Sequence, residues 1–411
     1  MPDFIRKAEK ILFVLVWIAL TAASVYLFYR QSVPTGVTGE YAADLITHIV
    51  WVINEEGVIY SLNSLIFYLL HLAFGNTVGI AVFMGLAESA TVFVVYRFFL
   101  SLDEINGCKT DDDAKMLFRW YTVGFMFIIS VVVPFAFPHF YYGNMPMNSW
   151  HNDTYTTMRL FSVPAFALYL KMYRSYKEGI KLKDWVTFTL LLILSTASKP
   201  SFFLAIAPIA LVIFIIDFIR NIKNFNVVKR IVLFGTSFLP AAAVIFYQNK
   251  LLYSDDAAQE ASIVFDPFTV ASINGNPAVK LGLFIIFPLA VLIYCFARVK
   301  KDAGKYYWYI LAWVLWAVEM FYYMFLAEGG DRWHDENFSW GAQFGNYIFY
   351  MASFYMVKEI LSSIIENKKN GKSADRKDLI FVTSSAVFFV YLTAAGGLYF
   401  LHVMVGHFPL F

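Results

Sequence analysis

Continuous apolar blocks, each about as long as a bilayer is thick, recur along this chain and are separated by short charged segments. A membrane-crossing helix needs ~20 consecutive apolar residues. Lipid offers no partner to an unpaired backbone N–H or C=O, so only helices and closed barrels cross it. The blocks are continuous rather than alternating, which points to an all-α, polytopic transmembrane helix bundle. About eleven spans follow, at 11–29, 77–98, 117–138, 158–173, 185–198, 201–219, 231–248, 280–297, 306–326, 341–357 and 379–400. Only 15% of the residues are charged, against about a quarter in a soluble domain. A net charge of +2 argues against a nucleic-acid partner, and Cys108 and Cys295 are too few for a disulfide framework. The run from Ile11 to Phe28 follows Arg6, Lys7 and Lys10. It is longer than a signal-peptide core and reads as an uncleaved first span. Residues 1–411 form one integral membrane domain, with 31–76 as its first outer loop and 77–400 as the rest of the bundle.

Basic residues set the orientation, because loops rich in Lys and Arg stay in the cytoplasm. With the N-terminus inside, only Arg30, Arg159, Lys199, Lys250, Lys280 and Arg332 of the 32 basic residues fall on the outer side. This scheme puts the C-terminus outside and makes the chain a multi-pass protein of the cell membrane. Counting 61–74 as a span would invert every later loop. That segment is short, so it is expected to lie in the outer interface.

Four outer stretches collect the polar residues. Glu40, Asp44 and His48 are spaced i, i+4, i+8, one stripe if the segment is helical. Asn144 to Arg159 is a loop leading into a helix, with Asn152 or Asp153 as its N-cap; Trp150 and His151 suit the membrane interface. Lys199 ends a span of about 15 residues, ~22 Å long, so it is expected below the outer surface, where a charge needs a partner or water. Glu328, Arg332, His334 and Asn337 flank or occupy a turn opened by Gly329 and Gly330. Each stretch also has a plainer reading as a solvated face, a cap, an interface anchor or a charged turn. Glu88 and Glu319 lie near mid-span and read as interhelical hydrogen-bond partners more readily than as an ion path.

A first span, a long outer loop bearing an acid, an interfacial helix and a second span form a layout over residues 11–100. This layout resembles the GT-C superfamily of membrane glycosyltransferases. The resemblance implies transfer of a sugar from a polyprenyl-phosphate-linked donor on the non-cytoplasmic face, in the assembly of a cell-envelope glycan, with the bacterial plasma membrane as the expected location. Adjacent acids are frequent in that loop of the superfamily; here Glu40 and Asp44 are separated by three residues. On this reading Asp44 is the base to the acceptor hydroxyl, with Glu40 next and His48 in support. Arg159, Lys199 and Arg332 are candidates for the donor phosphate. Asn144, His151, Asn152, Glu328 and Asn337 are candidates for sugar or acceptor. Asp and His on separate loops suit a divalent cation, but no ligand spacing requires one, and no other cofactor is indicated. A transporter or flippase of a lipid-linked or polar solute is the alternative, followed by a non-catalytic assembly subunit. No inverted repeat supports transport.

Overall fold

Apolar runs close their backbone hydrogen bonds internally as helices, and the polar residues between them supply the ends. The computed structural model describes residues 3–34, 40–41, 43–54, 59–128, 150–252, 263–273, 275–298, 303–329 and 336–406. The helices are α1 Asp3–Ser32, α2 Asp44–Asn54, α3 Leu62–Phe74, α4 Val78–Asn106, α5 Asp112–Phe127, α6 Asp153–Ser175, α7 Leu182–Ser198 and α8 Ser201–Asn221. They continue as α9 Phe225–Thr236, α10 Leu239–Leu252, α11 Thr269–Ser272, α12 Pro277–Arg298, α13 Tyr307–Phe325, α14 Asn337–Lys369 and α15 Arg376–Met404. Two three-residue strands, β1 Ile263–Phe265 and β2 Leu326–Glu328, pair antiparallel with Val264 opposite Ala327.

Eight helical stretches among the described residues are long and apolar enough to cross a membrane: α1, α4, α8, α9 with α10, α12, α13, α14 and α15. The protein is thus an all-α, multi-pass membrane bundle. The other three expected spans coincide with α5, α6 and α7, which differ in kind. α5 has 16 described residues and α7 has 17, while α6 has 23 but opens on a polar run, Asp153 to Arg159, that is buried throughout. The expected span 231–248 is two helices, broken at Ser237 and Phe238, just before Pro240, which has no N–H to continue a helical ladder.

α14 is the central element, buried almost without interruption from Ser339 to Val357, as expected of a helix with little polar face. Gly341 and Gly345 let α13 approach it; a β-carbon at Gly345 would stand 3.2 Å from the Trp316 backbone. Gly85 does the same for α4 against α1, where a β-carbon would meet the Val25 backbone at 2.6 Å. One end of the bundle carries a buried polar knot. Lys358 Nζ is 2.7 Å from Asp103 Oδ1, which also accepts from Tyr355 at 2.6 Å, and Thr110 donates to Asp103 Oδ2 at 2.7 Å.

The short helices α2 and α3 sit at the opposite end. α3 is capped at both ends, with a Ser61–Ser64 capping box and Gly75 in the left-handed region at φ 67°. At 13 residues it is about 20 Å long, too short to span the hydrocarbon. It packs against α2, α4, α6 and α7, at the end where Asp44 and Asp153 meet.

Candidate functional site

The site is a joint between the N-termini of α2 and α6. Asn152 caps α6, its side-chain oxygen accepting from the Tyr155 N–H at 2.8 Å and from the Thr154 hydroxyl at 2.7 Å. This fulfils one of the two capping alternatives; Asp153 instead becomes the first helical residue. The same Asn152 reaches α2, its Nδ2 donating to Asp44 Oδ2 at 2.6 Å. The backbones are tied as well, Asp44 N–H to the His151 carbonyl at 2.9 Å. Gln31, at the end of α1, donates to the Trp150 carbonyl at 2.8 Å. Both acids stand at helix N-termini, where the unpaired N–H groups favour negative charge.

Two histidine–aspartate pairs result. His151 Nε2 lies 3.4 Å from Asp44 Oδ1. His48 Nδ1 lies 2.5 Å from Asp153 Oδ1, and Asn63 of α3 donates to Asp153 Oδ2 at 2.9 Å. Burial alone raises the Asp44 carboxyl, but the His151 hydrogen bond and charge and the Asn152 amide outweigh it, holding the group at about 2. For His48, burial favours the neutral ring, yet the charge and hydrogen bond of Asp153 win and raise it above its ordinary value.

Lys199 is the residue after α7, half-buried, with Nζ 5.4 Å from the centre of the Trp340 ring. Its charge acts on His48. Trp340 also faces His151, stacked at 6.3 Å with 12° between planes, and Tyr155 at 5.3 Å. Segments around residues 44, 151, 199 and 340 therefore share one end of the bundle.

Other expected site residues stand elsewhere. Glu40 does not share a helical stripe with Asp44 and His48. Tyr41 between them has φ 52°, α2 starts only at Asp44, and Glu40 turns to Arg30 at 3.8 Å. Arg159 is buried in the bundle against Glu88, one guanidinium nitrogen 2.6 Å from each carboxylate oxygen, so this cation is matched within the protein rather than presented at the joint. Glu88 thus acts as an interhelical partner. Glu319 lies against Gly341 and Gly345. Asn337 donates to Glu328 at 2.9 Å one turn before Trp340, which holds the two together beside the joint. Asn144 and Arg332 lie outside the described residues, as does His334.

Three participants were not read from the sequence as part of the site: Asn63, Asp153 as a buried acceptor, and Trp340. Asn63 was the readable one, a carboxamide at the start of a largely apolar helix. Among the described residues, no group of three or more His, Cys, Asp or Glu side chains is disposed to hold a metal ion. No family model and no curated protein matches the chain.

Proposed function

We propose that the protein is a membrane glycosyltransferase that passes a sugar from a polyprenyl-phosphate-linked donor to an acceptor hydroxyl. In this reading the chain crosses the membrane eleven times, with α2 and α3 in the interface and the Asp44 end on the non-cytoplasmic side. The observation that carries it is the union of a first-loop carboxylate with a second acid, two imidazoles, two carboxamides and a lysine at one joint.

A phosphate-linked sugar leaves on an already weakly basic group, so the acid catalyst of a glycosidase is dispensable. What remains is charge stabilisation and removal of the acceptor proton. Asp44, ionised at any physiological pH, suits the developing positive charge at the sugar. A carboxylate this acidic is a weak base, so its position serves better than its basicity. Lys199 stands beside the joint and suits the departing phosphate; Arg332, outside the described residues, stays a candidate from the sequence. Arg159 is set aside for that task because Glu88 already neutralises it, and Asn152 is set aside as a sugar ligand because Asp44 and the cap occupy it. The transport alternative draws on Glu319, whose Oε1 is buried with no hydrogen-bond partner among the described residues.

The test is release of free polyprenyl phosphate by the purified full chain in proteoliposomes, offered a panel of polyprenyl-phosphate hexoses and pentoses with membrane acceptors. Turnover of at least one donor is expected, with Asp44→Asn losing roughly 10²–10³-fold. Silence on every donor, or an unchanged Asp44→Asn rate, contradicts the proposal.

A further inference from the structure

The joint holds one histidine in the arrangement of a general base. Asp153 is fully buried, with one oxygen fixed by Asn63 and the other by His48. A ring nitrogen that donates to a carboxylate leaves the lone pair on the other nitrogen. That other nitrogen, Nε2, has no hydrogen-bond partner among the described residues, and 17% of the His48 side chain stays accessible. The ring is flanked by Trp51 at 5.8 Å and Tyr60 at 6.4 Å, and Trp51 is exposed. The imidazole and the buried carboxylate that orients it repeat the base–carboxylate half of a hydrolytic triad, and Asn63 in turn fixes the carboxylate.

We propose that His48 Nε2 takes the proton of the acceptor hydroxyl, with Asp153 and Asn63 as positioning residues; the assignment rests on the glycosyltransferase reading. The acceptor oxygen forms its bond to the sugar C1 as its proton passes to Nε2. The C1–O bond to phosphate breaks with its electron pair, polyprenyl phosphate departs, and the imidazolium later returns the proton to water. Asp153 and Asp44 stabilise the imidazolium, while Lys199 opposes it.

Two measurements test this. Diethyl pyrocarbonate acylates neutral imidazole, so the purified full chain is treated across a pH series and modified peptides are read by mass spectrometry. His48 is expected to react, and Asp153→Asn is expected to move its half-reactive pH downward. A His48 that does not react in the folded protein, or one indifferent to Asp153→Asn, overturns the assignment. In the transfer assay, His48→Asn keeps a donor near the Nδ1 position for Asp153 but removes Nε2. It should lose roughly 10²–10⁴-fold, and His48→Ala should regain part of its rate with added imidazole. Transfer that survives His48→Asn defeats this assignment alone. A wild-type protein silent on every donor defeats the transferase reading and this assignment with it.

Discussion

At Asp44 and His48, burial and bonding pull in opposite directions, and bonding wins at both. Asp44 is lowered, so its stabilisation is complete above its ordinary value near 3.8 and lost as pH falls toward about 2. His48 is raised, so its stabilisation is complete below its ordinary value of 6.5 and lost as pH rises through the raised value. The joint between α2 and α6 should therefore be firmest between about pH 4 and pH 6.5. Thermal unfolding in detergent across pH 2–9 should show that plateau, and Asp153→Asn should erase its alkaline edge. The Asp44 share is about 1 kcal/mol, because a side chain that is 35% exposed is screened. Arg159 behaves differently, deep in the bundle. Arg159→Leu strands the Glu88 charge and should cost about 3–5 kcal/mol, while Glu88→Leu with Arg159→Leu should recover most of it. A double variant as unstable as the single one contradicts the view that this pair is mainly structural.

At the scale of the elements, what was readable and what was not separate cleanly. A helix that crosses lipid shows its length in composition, so α1, α4, α8 and α12 to α15 were legible. α6 was placed, and its cap was legible as one of Asn152 and Asp153, because both side chains accept the early helical N–H groups; the structure chooses Asn152. The Glu40 stripe failed because periodicity assumes a helix, and the left-handed Tyr41 stops one before Asp44. The partnerships Asn63–Asp153 and Arg159–Glu88 join residues 90 and 71 positions apart; spacing along one element carries no information about them. Close helix contact is similarly a tertiary property. At Gly85, where α4 meets the Val25 backbone, Gly85→Val should separate α1 from α4 and cost about 1–3 kcal/mol or more. Gly107→Ala meets no neighbour and should cost only the strain of a positive φ. Melting temperatures of the two variants check the contrast.

On the whole-molecule scale, ion pairs join segments assigned to the same side. Arg6 reaches Asp112 at 3.2 Å and Asp113 at 3.5 Å, Arg119 Nε meets Glu9 at 2.9 Å, and Lys358 meets Asp103. These gather at the lysine-rich end, opposite Asp44. With Cys108 and Cys295 replaced, a cysteine at position 370 should label only from the cytoplasm. The most direct test of the account joins this sidedness to the chemistry: donor consumption by sealed vesicles of known orientation. Right-side-out vesicles carrying the protein should consume an added short-chain polyprenyl-phosphate sugar, inside-out vesicles should not, and Asp44→Asn should silence the former. Consumption from the lysine-rich face, or turnover indifferent to Asp44, would contradict it.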